Sequence, residues 1–189
     1  MILVCNHVGY SDAVPLCLAF PRRIRFLSAE WLFRLPVLGR CLQHFQCIPV
    51  NPGHATSAIR KAAAATEAGE VVCIFPEGQL TRTGSLQEIR PGFELIARKA
   101  GVPVLVAHLD GLWGSLFSFE RGRYFWKIPR RLRFRVGVRF SKPIPPEQAT
   151  PERVRAQLLR FAAEARATPA QIPMDRSARR TNESQTASG

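Results

Sequence analysis

His7 and Asp12 stand five positions apart in Asn6-His7-Val8-Gly9-Tyr10-Ser11-Asp12, directly after the apolar run Ile2 to Cys5. An imidazole held by a carboxylate can take a proton from an alcohol, the carboxylate fixing the tautomer and stabilising the imidazolium that forms. On a regular helix a step of five turns a side chain roughly 140° past one full turn, so the two groups would diverge. A turn must bring them together instead. Gly9 permits one, and either Ser11 or Asp12 can cap a helix running from Ala13 to Phe20. Taken alone, this spacing more often marks two ordinary turn residues, so further sequence must decide.

That sequence is Phe75-Pro76-Glu77-Gly78-Gln79-Leu80-Thr81-Arg82-Thr83-Gly84, which follows another buried-strand pattern, Val71 to Ile74. The pair of segments resembles the glycerolipid acyltransferase family, which carries an Asn-His-x4-Asp block and later a Phe-Pro-Glu-Gly block. The resemblance runs from Leu3 to about Pro145. Leu35-Pro36-Val37-Leu38-Gly39 is similar to the approach to the family's second block, Phe45 to Asn51 occupies that block's place, and Gly101-Val102-Pro103-Val104 is similar to its fourth. Thr81 to Leu86 and Asp110 to Ser115 look most like the acyltransferase domains of bacterial 2-acylglycerophosphoethanolamine acyltransferases.

The resemblance implies transfer of a fatty acyl group from a thioester of coenzyme A or acyl carrier protein to the free hydroxyl of a lysophospholipid or acylglycerol phosphate. His7 is the implied base and Asp12 its partner. Glu77, Gly78 and Arg82 are the implied acceptor-binding residues: Gly78 for close backbone approach, Arg82 for a phosphate, Glu77 either to orient that arginine or to bond a glycerol hydroxyl. No metal, redox cofactor or acyl-enzyme is expected. Three positions depart from the family pattern. Gly9 stands where many members have Ser, Gln79-Leu80 replaces Thr-Arg and moves the nearest guanidinium to Arg82, and the second block lacks its frequent basic residue. These departures leave open a competing reading, a catalytically impaired basic module of the same fold.

A net charge of +13 on 189 residues speaks to partners rather than fold. Seven arginines and Lys127 fall between Arg121 and Arg139 with no acidic residue, interleaved with Tyr124, Phe125 and Trp126. Cations beside aromatic rings suit an anionic membrane interface, and they also suit nucleic acid. The membrane is the expected partner, with Tyr124, Phe125, Trp126, Arg130, Arg131 and Arg133 as contacts. Leu132, Phe134, Val136, Val138 and Phe140 alternate with Arg133, Arg135, Gly137 and Arg139, which is a half-buried strand with a positive outer face.

Apolar runs at Ile2 to Cys5, Ile24 to Ser28, Phe45 to Val50, Val71 to Phe75 and Val102 to Leu109 alternate with helical stretches. That pattern predicts an α/β fold: a single three-layer domain with a mostly parallel sheet, the alternating basic strand at one edge, flanked by helices. Helices are expected at Ser57 to Ala68, Pro91 to Ala100 and Pro151 to Ala167, the last capped by Thr150. The acyltransferase domain is expected to span 1–167 without the helices that usually precede the first strand, and 168–189 to be a disordered tail.

No apolar run approaches the ~18 to 20 residues of a membrane-spanning helix. Five cysteines without a Cys-x-x-Cys pair argue against a disulfide framework and for a reducing compartment. A peripheral enzyme on the cytoplasmic face of the membrane is the resulting expectation. Cys41-x-x-His44-x-x-Cys47 could be imagined as a zinc site, but it lacks a fourth ligand at a usual spacing. Cys5, at the end of an apolar strand, is expected to be buried and inert rather than nucleophilic.

Overall fold

The structure, a computed structural model, describes residues 1–115, 118–119 and 135–167. Its centre is a six-stranded sheet made of β1 (Ile2–Cys5), β2 (Ile24–Ala29), β3 (Ile48–Val50), β4 (Val71–Ile74), β5 (Val104–Asp110) and β6 (Gly137–Phe140), in the order β3-β2-β4-β1-β5-β6. The first five run parallel, and β6 closes one edge antiparallel to β5, with Ala107 opposite Phe140. The predicted α/β architecture and the edge position of the basic strand both hold. Residues 132–134 of that expected strand lie outside the described residues.

Short strands such as Ile-Leu-Val-Cys carry no polar alternation because both faces of the sheet are covered. Ile2 and Val4 point into one buried layer with Val72, Ile74, Val104 and Val106. Against that layer pack α3 (Ala55–Glu67), α4 (Gly92–Ala100) and α5 (Pro151–Ala167), through Ala62, Phe93 and Leu158 among others. Leu3 and Cys5 point the other way, with Phe26, Cys73, Leu105 and Ala107. That face is covered by α1 (Ala13–Ala19) and α2 (Pro36–His44), through Leu16 and Leu42.

Two expectations change. The strand expected from Phe45 to Val50 begins only at Ile48, because Phe45 to Cys47 closes α2: Gln46 adopts φ 52 and the Cys47 N–H donates to the Leu42 carbonyl at 2.8 Å. Sequence periodicity did not reveal α2, whose start is set by Pro36 after an extended Leu35. The predicted cap on α1 also differs. Asp12 occupies the N-cap position, but its side chain makes no cap bond and turns back toward His7. Thr150 does cap α5, its hydroxyl accepting from Arg153 N–H at 3.3 Å.

Candidate active site

β1 delivers His7 to the carboxyl-terminal edge of the sheet, where a parallel α/β fold leaves its loops open for chemistry. Asn6 anchors the exit of the strand. Its side chain bonds Leu109 twice, accepting from the N–H at 2.7 Å and donating to the carbonyl at 3.0 Å. The chain then turns so that the Gly9 carbonyl accepts from Asp12 N–H at 3.2 Å. Asp12, 1% exposed, faces back through the turn. Its Oδ2 lies 2.8 Å from His7 Nδ1 and accepts the Val8 N–H at 2.6 Å, while both oxygens accept the Gly9 N–H at 3.0 Å.

Two backbone amides and the imidazole thus surround one buried carboxylate. With Asp12 as acceptor, the imidazole proton sits on Nδ1 and leaves the lone pair on Nε2, which has no hydrogen-bond partner among the described residues. The ring is further held by stacking on Phe75, with centroids 4.0 Å apart and planes 13° apart. Phe75 in turn stacks on Phe26 at 6.2 Å. The histidine side chain remains 21% exposed. An imidazole fixed in this tautomer and open at Nε2 can accept a proton from a hydroxyl brought to the surface above it.

Glu77 is 3% exposed, and in this structure its two oxygens bond backbone amides rather than Arg82. Oε1 accepts the His7 backbone N–H at 2.7 Å and Oε2 accepts the Gln87 N–H at 2.8 Å. Burial pushes its carboxyl up from the usual range, and these two amides pull it back. No hydrogen bond or ion pair joins it to Arg82. On the other side of the same residue, the His7 carbonyl accepts Thr81 N–H at 3.0 Å. The loop after β4 is thus bonded to both sides of the histidine backbone.

Gly78 has φ +68, a left-handed conformation that a side chain would strain, and the guanidinium of Arg90 lies over it, 3.2 Å from where a Cβ would sit. Arg90 is held there by its own backbone, its N–H donating to the Pro76 carbonyl at 2.9 Å. Arg82 is exposed and lies over the Phe119 ring, 5.7 Å from the centroid. The structure therefore links His7, Asp12 and Glu77 through hydrogen bonds, with Gly78 next in the chain and the Arg90 guanidinium over it, while Arg82 lies over Phe119. Asn6 and Phe75 belong to the two matched sequence blocks but had no assigned part in the sequence reading, where Arg90 stood only as the alternative to Arg82 for a phosphate. The six expected membrane contacts, Tyr124, Phe125, Trp126, Arg130, Arg131 and Arg133, lie outside the described residues.

Cys5 is fully buried, and burial raises its thiol well above the usual range, which makes it a poor nucleophile. Cys41 is exposed and Cys47 buried, and no group of three or more His, Cys, Asp or Glu side chains gathers among the described residues. No helix among them is long and apolar enough to cross a membrane.

The fold is similar to that of the 1-acyl-sn-glycerophosphate acyltransferase PlsC from Thermotoga maritima, with a TM-score of 0.69 and 24% identity over 90% of this chain and 68% of that one. In sequence the chain is 28% identical over 113 residues to a chloroplastic 1-acyl-sn-glycerol-3-phosphate acyltransferase of Brassica napus, covering 58% of this chain. It is 23% identical over 156 residues to a probable 1-acyl-sn-glycerol-3-phosphate acyltransferase of Mycoplasma pneumoniae, covering 77% of this chain. It spans 33% of the length of the first relative and 57% of the second. The acyltransferase family model matches residues 1–108, the stretch that holds His7, Asp12 and the Glu77 loop. The chain belongs to the acyltransferase family.

Proposed function

We propose that the chain transfers a fatty acyl group from a coenzyme A or acyl carrier protein thioester to the free hydroxyl of a 1-acylglycerol-3-phosphate-type acceptor. The carrying observation is the dyad: His7 Nδ1 tied to a buried Asp12 at 2.8 Å, with Nε2 left open. The acceptor O–H gives its proton to Nε2 as the oxygen attacks the thioester carbonyl carbon. The tetrahedral adduct collapses, the C–S bond breaks, and the leaving thiolate takes the proton back from the imidazolium. An ester and a free thiol result, with no covalent enzyme intermediate. Asp12 stabilises the transient imidazolium, and the Glu77 loop holds the histidine backbone.

Arg82 and Arg90 are our candidates for the acceptor phosphate, because Arg90 lies over Gly78, Arg82 follows four positions after it on the same loop, and neither is ion-paired among the described residues. The names of the relatives support a glycerol phosphate acceptor. A reducing cytoplasm and an anionic membrane surface are the proposed setting, supported by five free cysteines and a net charge of +13.

The test is a mass-spectrometric transfer assay with the whole chain, pairing palmitoyl-CoA and palmitoyl-acyl carrier protein with lysophosphatidic acid, lysophosphatidylethanolamine and lysophosphatidylglycerol. A diacyl product from lysophosphatidic acid is expected. Product from lysophosphatidylethanolamine alone would move the acceptor to the head group suggested by Thr81 to Leu86. No product from any pair, with tight salt-sensitive nucleic-acid binding, would replace the enzyme with a basic binding module.

A further inference from the structure

The large apolar side chains exposed among the described residues are concentrated in one place. Eight of the ten fall between Tyr10 and Phe45, in the single layer that covers the Leu3–Cys5 face of the sheet. The three helices on the opposite face contribute only Leu95 and Leu159. Scattered single residues of this kind would be ordinary, but a concentration in one layer marks a contact surface.

The outer side of α1 presents Val14 and Leu18, the latter 83% exposed. Beside it, Trp31 on the 3-10 turn Glu30–Arg34 and Leu35, Val37 and Leu38 around the start of α2 are exposed as well, Val37 by 77%. Phe45 completes the set at the end of α2. The two helices share one buried cluster underneath, where Leu16 of α1 meets the layer that also holds Leu42 of α2. Gly39 fixes the angle of α2, since a Cβ there would run into the Phe33 carbonyl oxygen.

Charge and position indicate what the surface meets. Between residues 13 and 50 there are five arginines and one carboxylate, Glu30. Arg34 and Arg40, on the same turn and helix as the exposed side chains, are themselves exposed and unpaired among the described residues. A tryptophan and aliphatic side chains interleaved with free arginines match an interface whose outside is anionic and whose inside is hydrocarbon. Position agrees. α1 begins directly after Asp12, and Glu30 follows the carboxyl end of β2, which is separated from β1 only by β4. That puts the Trp31 turn two strand spacings, about 10 Å, along the sheet edge from the exit of His7.

We infer that the outer surface of α1 and α2, from Val14 to Phe45, seats the domain on an anionic lipid bilayer, with His7 at the edge of the contact. The occupant is the bilayer surface itself. The purpose of this contact rests on the acyltransferase reading, since a lipid acceptor would then reach Nε2 without leaving its membrane. The contact itself is measured without turnover.

Flotation of the whole chain with vesicles of phosphatidylglycerol and phosphatidylcholine tests it. Leu18→Asp and Val37→Asp should each lower the partition coefficient by roughly tenfold or more, since each forfeits the burial of a large side chain and adds a repelled charge. Leu95→Asp and Leu159→Asp, exposed apolar positions on the other face, should leave it unchanged. Circular dichroism melts confirm that the variants fold. Equal losses from both pairs, or binding unaffected by Leu18→Asp and Val37→Asp, would overturn the inference. So would lost binding in an Arg130, Arg131 and Arg133→Gln variant with Val37→Asp neutral, which would place the contact in that segment. A dimer in sedimentation that Val37→Asp dissociates, with no vesicle binding by the wild type, would give the surface to a second copy. Loss of acyl transfer in every sample with vesicle binding intact would reject the enzymatic reading and leave the docking surface standing.

Discussion

Glu77 Oε1 accepts the backbone N–H of His7 at 2.7 Å across seventy residues of sequence, and Oε2 accepts Gln87 N–H at 2.8 Å. The carboxylate thereby fastens the loop after β4 to the residue that leaves β1. Glu77→Ala should strand two amides, at about 1–3 kcal/mol each, and lower both the melting temperature and kcat. Glu77→Gln keeps one acceptor oxygen and should recover part of both. The acceptor KM should move little, because the carboxylate positions the histidine backbone rather than touching the lipid. A raised acceptor KM at unchanged kcat would show direct contact instead.

Asp12→Asn replaces an acceptor of three N–H bonds by a group with only one accepting atom. The Val8 and Gly9 amides then compete with His7 for that oxygen. We expect kcat to fall roughly 100-fold to 10,000-fold, with the imidazole no longer locked in its tautomer. Transfer kinetics at saturating acceptor measure this, and activity within a few-fold of wild type would mean that the turn alone orients the ring.

Arg82 and Arg90 separate by kinetics. Each alanine variant that removes a phosphate contact should raise the acceptor KM about tenfold with little change in kcat or donor KM, as expected for binding shared by ground and transition states. Arg90 lies over Gly78 and Arg82 over Phe119, so the larger effect is predicted for Arg90. A phosphate-free monoacylglycerol, compared with lysophosphatidic acid, isolates the charge contribution. Unchanged acceptor KM in both variants would remove these residues from phosphate recognition.

His108 gives the fold an acid-sensitive point away from the site. It lies inside β5 beside Phe161 of α5, with Nδ1 unpartnered among the described residues, and burial lowers its pKa to about 4, Asp110 opposing and Arg139 adding to the shift. The unfolded chain binds a proton near pH 6.5 that the folded chain refuses until about pH 4. Its contribution is therefore complete above pH 6.5 and is lost as pH falls toward 4, up to about 3 kcal/mol. Urea titrations at pH 7.5, 6 and 5 should show this decline in the wild type and a flatter profile in His108→Leu. Parallel profiles would assign the acid sensitivity to other groups.

Much of this architecture was legible because its strands are short apolar runs and its longer helices carry ordinary start and stop residues; Ile2–Cys5 and Pro151–Ala167 fall where the pattern placed them. α2 was not legible. Its nine residues include Gly39, its N-cap Leu35 makes no side-chain bond, and the left-handed Gln46 that ends it is not a glycine, so periodicity read its last turn as strand. The turn at Gly9 permitted the pairing of His7 with Asp12, and the match of the two sequence blocks to a family is what favoured it. The two hydrogen bonds that Glu77 accepts from the His7 and Gln87 amides were not legible, because backbone partners seventy and ten residues away leave no mark on side-chain type.

Single-turnover transfer by His7→Ala tests the central claim most directly. The wild type and the variant would be mixed with palmitoyl-CoA and lysophosphatidic acid, and phosphatidic acid followed by mass spectrometry, with circular dichroism confirming that both are folded. The dyad predicts product from the wild type and a rate at least about 100-fold lower in the variant, with vesicle binding unchanged. Comparable single-turnover rates in the two proteins would contradict it and remove His7 from the chemistry.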